Sequence, residues 1–299
     1  MTLDGLIVPV ATLFGADGEL DLGRNARFVR DLADARVDHL FLLGSLGEFP
    51  SITDEERPLL LEATIDSIPG RSDAWVGCGA PSTRQAVRYA ADAEAAGAAV
   101  VVAVPPYYLH PPPAAIDRYY RAIRAAVKVP LLAYNIPSLV GYALAPAQLH
   151  ALYRDGVIAG TKDTSGSLAS VRSFLEGAPK GFVVFPGDDG LVADAIALGA
   201  TGAVMGMGNI APKLCLELVA AARGGDRARS AELQQLVRDL VDVSRAAPFP
   251  ANDKFLAAEL RGADVGYRAP YDALSPDEER AVRERLAPLR ERLRPFLGR

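Results

Sequence analysis

Ala99-Val100-Val101-Val102-Ala103-Val104 is an unbroken apolar run closed by Pro105-Pro106-Tyr107-Tyr108. It is about the length of a strand, and continuous apolarity suits a parallel strand buried on both faces. Runs of the same kind recur at residues 6–13, 39–43, 74–78, 131–134, 157–162, 182–185 and 202–205, eight in all with the first. Helical spacing of apolar residues separates them, over 22–35, from Thr53 onward, and over 82–96, 146–153, 167–175 and 191–198. Thr53 and Glu56 stand at capping-box spacing, and Gly97 is a C-terminal stop. Strand then helix, repeated eight times, predicts a (β/α)8 TIM barrel of the α/β class. An open doubly wound sheet shares the alternation, but no strand here runs into the dinucleotide glycine fingerprint with its later acidic residue. The glycine-rich stretch Gly202 to Gly208 lacks a phosphate-binding lysine and reads as a tight turn at a barrel rim. The remaining residues read as helices at 212–223, 227–246, 253–261 and 276–293, so the chain divides into a barrel over 1–210 and a helical extension packed on it over 211–299. The Arg- and Glu-rich last helix reads as a solvated face.

Composition narrows the function. The 299 residues are 50% hydrophobic and 23% charged, enough to bury a full core and incompatible with disorder. There are 32 basic and 37 acidic residues, a net charge of -5, and no basic stretch is interleaved with aromatics, which excludes nucleic acid as the expected partner. Cys78 and Cys215 are too few for a disulfide framework and fit a reducing compartment. His39, His110 and His150 lie far apart in sequence, without the close ligand spacing of a zinc site, so no metal is expected. No stretch approaches the ~20 apolar residues of a membrane span, and the first residues lack the pattern of a secretory leader. The expectation is a cytoplasmic protein with no membrane partner.

Barrel chemistry sits at the C-terminal ends of the strands. Those ends read Gly44-Ser45-Leu46-Gly47-Glu48, Pro105-Pro106-Tyr107-Tyr108, Tyr134-Asn135-Ile136-Pro137, Gly160-Thr161-Lys162-Asp163-Thr164 and Pro186-Gly187-Asp188-Asp189. Only five of the 32 basic residues are lysines, so a lysine ending an apolar strand asks for a reason. Lost hydration at an apolar barrel mouth disfavours the ammonium and frees the neutral nucleophile that imine formation with a carbonyl requires. Lys162 could equally snorkel, or pair with Asp163. Tyr134 can pass a proton to or from a carbonyl oxygen, or be an amphipathic rim residue. The Gly44–Gly47 turn can offer successive backbone N–H groups and the Ser45 hydroxyl to a carboxylate, or be only a turn. Glu48 could be a buried structural carboxylate or an acid catalyst, and the structural reading is preferred. Tyr107 and Tyr108 suit an aromatic contact patch, and Pro111-Pro112-Pro113 suits polyproline geometry.

Together these motifs resemble the dihydrodipicolinate synthase / N-acetylneuraminate lyase family of class I (lysine-imine) aldolases, over essentially the whole chain. The resemblance rests on Gly44-Ser45-x-Gly47-Glu48, Pro106-Tyr107-Tyr108, Tyr134-Asn135-x-Pro137, Gly160-x-Lys162-Asp163 and Gly187-Asp188-Asp189, in order at successive strand ends. It implies a small-molecule 2-oxo acid substrate held as an imine on Lys162, with no cofactor. It implies proton transfer by Tyr134, and a relay and carboxylate contact at Ser45. Tyr108 would complete the relay in the neighbouring subunit of a homodimer or homotetramer.

Departures from the family pattern point to the substrate. The synthase branch carries an arginine where this chain has Leu139, and paired hydroxyl residues where it has Ser45-Leu46. The sialate-cleaving branch carries a glutamate where it has Gly190. The stretches at 42–50, 105–108, 162–165 and 266–270 look most like 2-keto-3-deoxygluconate aldolases. Leu46, Gly47, Thr164, Gly187, Asp188, Asp189 and Leu139 are the expected substrate-binding residues, with Ser165 beside them. Thr164, Ser165, Asp188 and Asp189 supply polar groups suited to a polyol, though each could instead cap a rim turn. The expectation is cleavage of a 2-keto-3-deoxy sugar acid to pyruvate and a hydroxyaldehyde, or the reverse. The alternatives are dihydrodipicolinate synthase, a dehydratase or hydratase-aldolase using the same imine, and a catalytically inert 2-oxo acid sensor, against which the presence of both Lys162 and Tyr134 argues.

Overall fold

Each of the eight apolar runs forms a strand in the computed structural model, which describes residues 2–70 and 72–297. The strands are β1 (Gly5–Pro9), β2 (His39–Leu42), β3 (Asp73–Gly77), β4 (Val100–Ala103), β5 (Leu131–Asn135), β6 (Gly160–Asp163), β7 (Val183–Pro186) and β8 (Gly202–Val204). All pair in parallel, in the order β7-β6-β5-β4-β3-β2-β1-β8. Between the two ends of that order Thr201 N donates to Val184 O at 3.0 Å, so the barrel is nearly closed. The 6–13 run gives a shorter strand than its apolarity suggests, because the chain leaves the sheet after Pro9, with one last bond from Val10 N to Phe41 O. The 157–162 run enters the sheet only at Gly160, once the turn at Gly156 (φ 69°) has brought the chain back from the preceding helix.

Thirteen helices accompany the strands among the described residues. Those between strands are α1 (Leu22–Asp34), α2 (Glu56–Ile65), α3 (Thr83–Ala95), α4 (Pro113–Ala126), the short α5 (Pro137–Val140), α6 (Pro146–Arg154), α7 (Leu168–Leu175) and α8 (Val192–Ala197). After β8 come α9 (Pro212–Arg223), α10 (Arg227–Ser244), α11 (Ala251–Arg261), α12 (Pro276–Leu286) and α13 (Arg290–Leu297). No apolar periodicity had marked α4, and the polyproline reading holds only as far as Pro112. Pro113 instead opens α4, where its fixed φ suits the first helical turn and its missing N–H is not needed. None of these helices is long and apolar enough to cross a membrane.

Strand alternation divides the core in two. Ile7, Phe41, Trp75, Val100, Val102, Leu132, Tyr134, Phe185 and Val204 fill the barrel interior, where Trp75 meets Phe185 edge-on at 5.4 Å. Val101, Ala103, Leu131, Ala133 and Val184 face outward onto the helices. A continuous apolar run is therefore the sequence mark of a strand that contacts both layers.

The C-terminal helices are tied to the strand ends by charge. α9 packs on α8 and β1, and α10 packs on α9. Lys254 of α11, 1% exposed, forms an ion pair with the buried Glu48 of the loop after β2, and donates to Gly266 O at 3.1 Å. Phe14 lies against its ammonium, 4.7 Å from Nζ to the ring centre. Burial pushes the Glu48 carboxyl up and the Lys254 ammonium down, and each partner opposes the shift of the other. Glu48 is thus committed to an ion pair, which accords with the structural alternative. Arg268 reaches Glu56 through two bonds (2.5 and 2.8 Å) and the carbonyls of Gly18 and Ser51. Removing one partner of a buried pair strands the other's charge, at a cost of about 3–5 kcal/mol. Lys254→Met should lower unfolding free energy in urea by about that amount, and Glu48→Leu in the same chain should restore much of it.

Candidate active site

Parallel register brings the two principal residues together. The β5–β6 ladder pairs Tyr134 with Lys162 and Asn135 with Asp163. Alternation then sends the first pair into the barrel and the second outward. Lys162 Nζ lies 3.9 Å from the Tyr134 ring centre and 5.1 Å from that of Phe41. The two residues are 5% and 3% exposed. Asp163 is occupied elsewhere: it accepts from Asn135 Nδ2 at 2.7 Å and Ser165 Oγ at 2.9 Å, while Asn135 Oδ1 accepts from Leu144 N at 2.9 Å. The sequence left open whether Lys162 is a partner for Asp163; the amine instead faces aromatic rings.

Burial pushes the Tyr134 phenol up. The Lys162 charge and hydrogen bonding with Lys162, Ser45 and Thr164 together outweigh it and leave the phenol below its ordinary value. Thr164 Oγ1 is buried beside the phenol, in the same cluster. Gly187 holds this cluster close. A Cβ there would stand 2.8 Å from Lys162 Cε and 2.2 Å from Thr164 Oγ1, so a side chain would displace both.

Lys162 and Tyr134 face a cavity of ≈ 170 Å³ at the C-terminal end of the strands. Of the expected residues, Ser45, Leu46, Thr164, Gly187, Asp189 and Leu139 line it. Ser45 and Leu46 come from a turn entered at Leu43 (φ 54°) and left at Glu48 (φ 50°). No described residue accepts from the backbone N–H groups of Ser45, Leu46 or Gly47, although Gly47 O accepts from Thr12 Oγ1 at 2.7 Å and Ser45 O from Glu48 N at 3.0 Å. Three successive unpaired N–H groups are the makings of an anion nest.

Other expected residues lie off the cavity. Asp188 caps the turn that follows β7, accepting from Gly190 N at 2.8 Å, which matches the turn-capping alternative left open from sequence. Ser165 is committed to Asp163. Gly47 lies behind the turn, where a Cβ would come within 3.0 Å of Val10 O. Tyr108 is 89% exposed and does not line the cavity.

Sequence reading missed Asp253 and Phe249, which line the cavity from the extension. In the sequence Asp253 only opens a helix, and the one signal it carries is a carboxylate heading an otherwise apolar helical face. Asp189 accepts from Gly206 N (3.1 Å) and Met207 N (3.0 Å), and its own carbonyl accepts from Gln234 Nε2 (2.8 Å). Burial raises the Asp189 carboxyl to about 7, helped by the nearby Asp253 and Asp188 and opposed by those backbone donors. Burial likewise raises Asp253 to about 6, opposed by its Ser244 bond.

A barrel with a buried lysine and phenol at its strand ends, beside an anion nest, defines the pyruvate-dependent lyases that act through a Schiff base. The model of the dihydrodipicolinate synthetase family matches residues 2–288. The chain belongs to that family, and is an enzyme of this lyase class. It is 37% identical over 236 residues to YagE of Escherichia coli, provisionally named a 2-dehydro-3-deoxy-D-gluconate aldolase, covering 77% of this chain and 78% of the relative. The structure of YagE in complex with pyruvate superposes with a TM-score of 0.92 at 33% identity, covering 98% of this chain and 100% of the other. The 4-hydroxy-tetrahydrodipicolinate synthase of Thiobacillus denitrificans is 32% identical over 282 residues, covering 94% of this chain and 95% of the relative. A dihydrodipicolinate synthase variant described as monomeric is also similar, with a TM-score of 0.89 at 26% identity, covering 95% of this chain and 96% of the other.

The raised carboxyls make stability depend on pH. Asp189 and Asp253 keep their protons in the folded chain up to about 7 and about 6. In the unfolded chain both are ionised above about pH 4. The folded state therefore binds more protons between those limits, and stability falls as pH rises through them. Asp253→Asn should match the wild type near pH 4 and exceed it at about pH 8, by on the order of 1–3 kcal/mol, in denaturant titrations at both pH values.

Proposed function

We propose that the protein is a class I aldolase that cleaves a 2-keto-3-deoxy sugar acid to pyruvate and a hydroxyaldehyde, reversibly. The observation that carries the reading is the Lys162 amine held over the Tyr134 ring in a cavity lined by Ser45 and Leu46. The substrate carboxylate would take the unpaired N–H groups of Ser45 and Leu46, which line the cavity. Neutral Lys162 Nζ attacks C2, Tyr134 returns a proton to the departing hydroxyl, and water leaves to give the iminium. Tyr134, as phenolate, then takes the proton from the C4 hydroxyl. The C3–C4 bond breaks, its electron pair enters the imine to form an enamine, and the aldehyde departs. Protonation at C3 and hydrolysis release pyruvate and free the lysine. The lowered phenol suits a group that must both give and take a proton.

Two features favour a neutral aldehyde over aspartate semialdehyde. Leu139 sits on the cavity wall, 63% exposed, where a synthase would hold a carboxylate with arginine. Leu46 supplies no second hydroxyl. The similarity to the Thiobacillus synthase keeps dihydrodipicolinate synthase as the second reading.

Tyr108, with Leu109 beside it at 76% exposure, would complete the site of a neighbouring subunit in a homodimer or homotetramer. Two buried, unpaired cysteines accord with a cytoplasmic location.

The direct test is borohydride reduction in the presence of pyruvate. Intact mass should rise by one reduced pyruvate, and peptide mapping should place it on Lys162; an adduct on Lys128, Lys180, Lys213 or Lys254 would refute the assignment. Tyr134→Phe should fold normally and lose ~10²–10⁴-fold in turnover. In steady-state assays side by side, kcat/KM for cleavage of 2-keto-3-deoxygluconate should exceed that for condensing aspartate semialdehyde with pyruvate. The missing charge-assisted contact is worth ~10–100-fold. The opposite order would select the synthase reading while leaving the imine intact.

A further inference from the structure

Asp253 belongs to α11 in the C-terminal extension, yet it stands on the wall of the cavity that holds Lys162. It is 6% exposed. Its aim is fixed by a small locked turn. Oδ1 accepts from Ser244 Oγ at 2.6 Å, Asn252 Nδ2 donates to Ser244 Oγ and O at 2.7 and 3.1 Å, and Asn252 Oδ1 accepts from Asp253 N at 2.8 Å. No described residue donates to Oδ2. That oxygen lies 3.7 Å from the point a Cβ on Gly206 would occupy, and Asp189 Oδ2 lies 3.6 Å from the same point. The missing side chain of Gly206 keeps the gap between the two carboxyls open. Asp189 already has two backbone donors, whereas Asp253 Oδ2 has none among the described residues and is open to the cavity as an acceptor.

Packing alone does not account for it. A buried carboxyl with a free oxygen costs more than the apolar residue that would fill the same space. Two neighbouring carboxyls also disfavour a third anionic group, while a hydroxyl donor satisfies them at no charge cost. We propose that Asp253 is a substrate-specificity residue whose Oδ2 accepts a hydrogen bond from a hydroxyl on the aldehyde portion of the substrate. It selects a neutral, hydroxylated chain and turns away one that ends in a carboxylate. The inference rests on the aldolase reading above and adds to it a residue that recognises the leaving aldehyde.

The test compares full-length wild type, Asp253→Leu and Asp253→Asn in the condensation direction. Pyruvate is paired with glyceraldehyde, propionaldehyde and succinic semialdehyde, and borohydride trapping of pyruvate is scored before any aldehyde is added. Wild type should favour glyceraldehyde over propionaldehyde by about 10–100-fold in kcat/KM, the worth of a hydrogen bond to a charged acceptor. Asp253→Leu should shrink that ratio to about 3-fold or less while pyruvate is still trapped. Asp253→Asn keeps the shape and an acceptor oxygen but removes the charge, and should raise the relative kcat/KM for succinic semialdehyde by about 10-fold. A folded Asp253→Leu enzyme that traps pyruvate and keeps the wild-type aldehyde ratio would overturn the proposal. Should that variant not fold, an unchanged semialdehyde ratio in Asp253→Asn would overturn it instead. Failure of every protein to trap pyruvate would fall on the aldolase reading itself, and is distinguishable because no aldehyde is yet present.

Discussion

The pairing of Tyr134 with Lys162 across the β5–β6 ladder is the constraint on which the site depends. A slip of β6 by one residue would turn Lys162 out toward the helices and leave Tyr134 facing the barrel interior without it. The register is held from outside by the Asn135–Asp163 hydrogen bond, one position further along the same ladder. The polar pair that faces the helices thus fixes the reactive pair that faces the cavity. Closeness is then set just after β7, where Gly187 leaves room for the lysine stem.

Interior packing explains why the lysine sits where it does. The barrel interior is filled by Phe41, Trp75 and Phe185, so the lysine stem enters an apolar core and its amine ends at the cavity. The Tyr134 ring lies against its amine. The amine's charge lowers the phenol, which suits the proton-transfer role proposed for it. Ser45 and Thr164 add hydroxyls to the same cluster without bringing a competing charge.

The C-terminal extension contributes to the site as well as covering the barrel. Lys254 pins it to Glu48, three residues after Ser45, through a pair that is costly to break. The next residue back, Asp253, reaches the cavity wall. One short stretch of α11 therefore both anchors the loop that carries the proposed nest and presents a carboxyl to the substrate space.

Sequence by itself determined the barrel, because strands buried on both faces must be apolar throughout and eight such runs are visible without any contact map. It also determined that Lys162, Tyr134, Ser45 and Thr164 would meet, since each ends or follows a strand and all strand ends of a parallel barrel share one rim. It did not reveal α4, whose prolines resemble an extended segment until a helix is seen to start at Pro113. It did not separate Asp189, which faces the cavity, from Asp188, which caps a turn, because adjacent residues differ only in the direction the backbone gives them. Asp253 and Phe249 were decided by tertiary structure alone. They lie some ninety residues beyond Lys162 in a helical segment without a motif, and only the folding of that segment back over the rim brings them to the site.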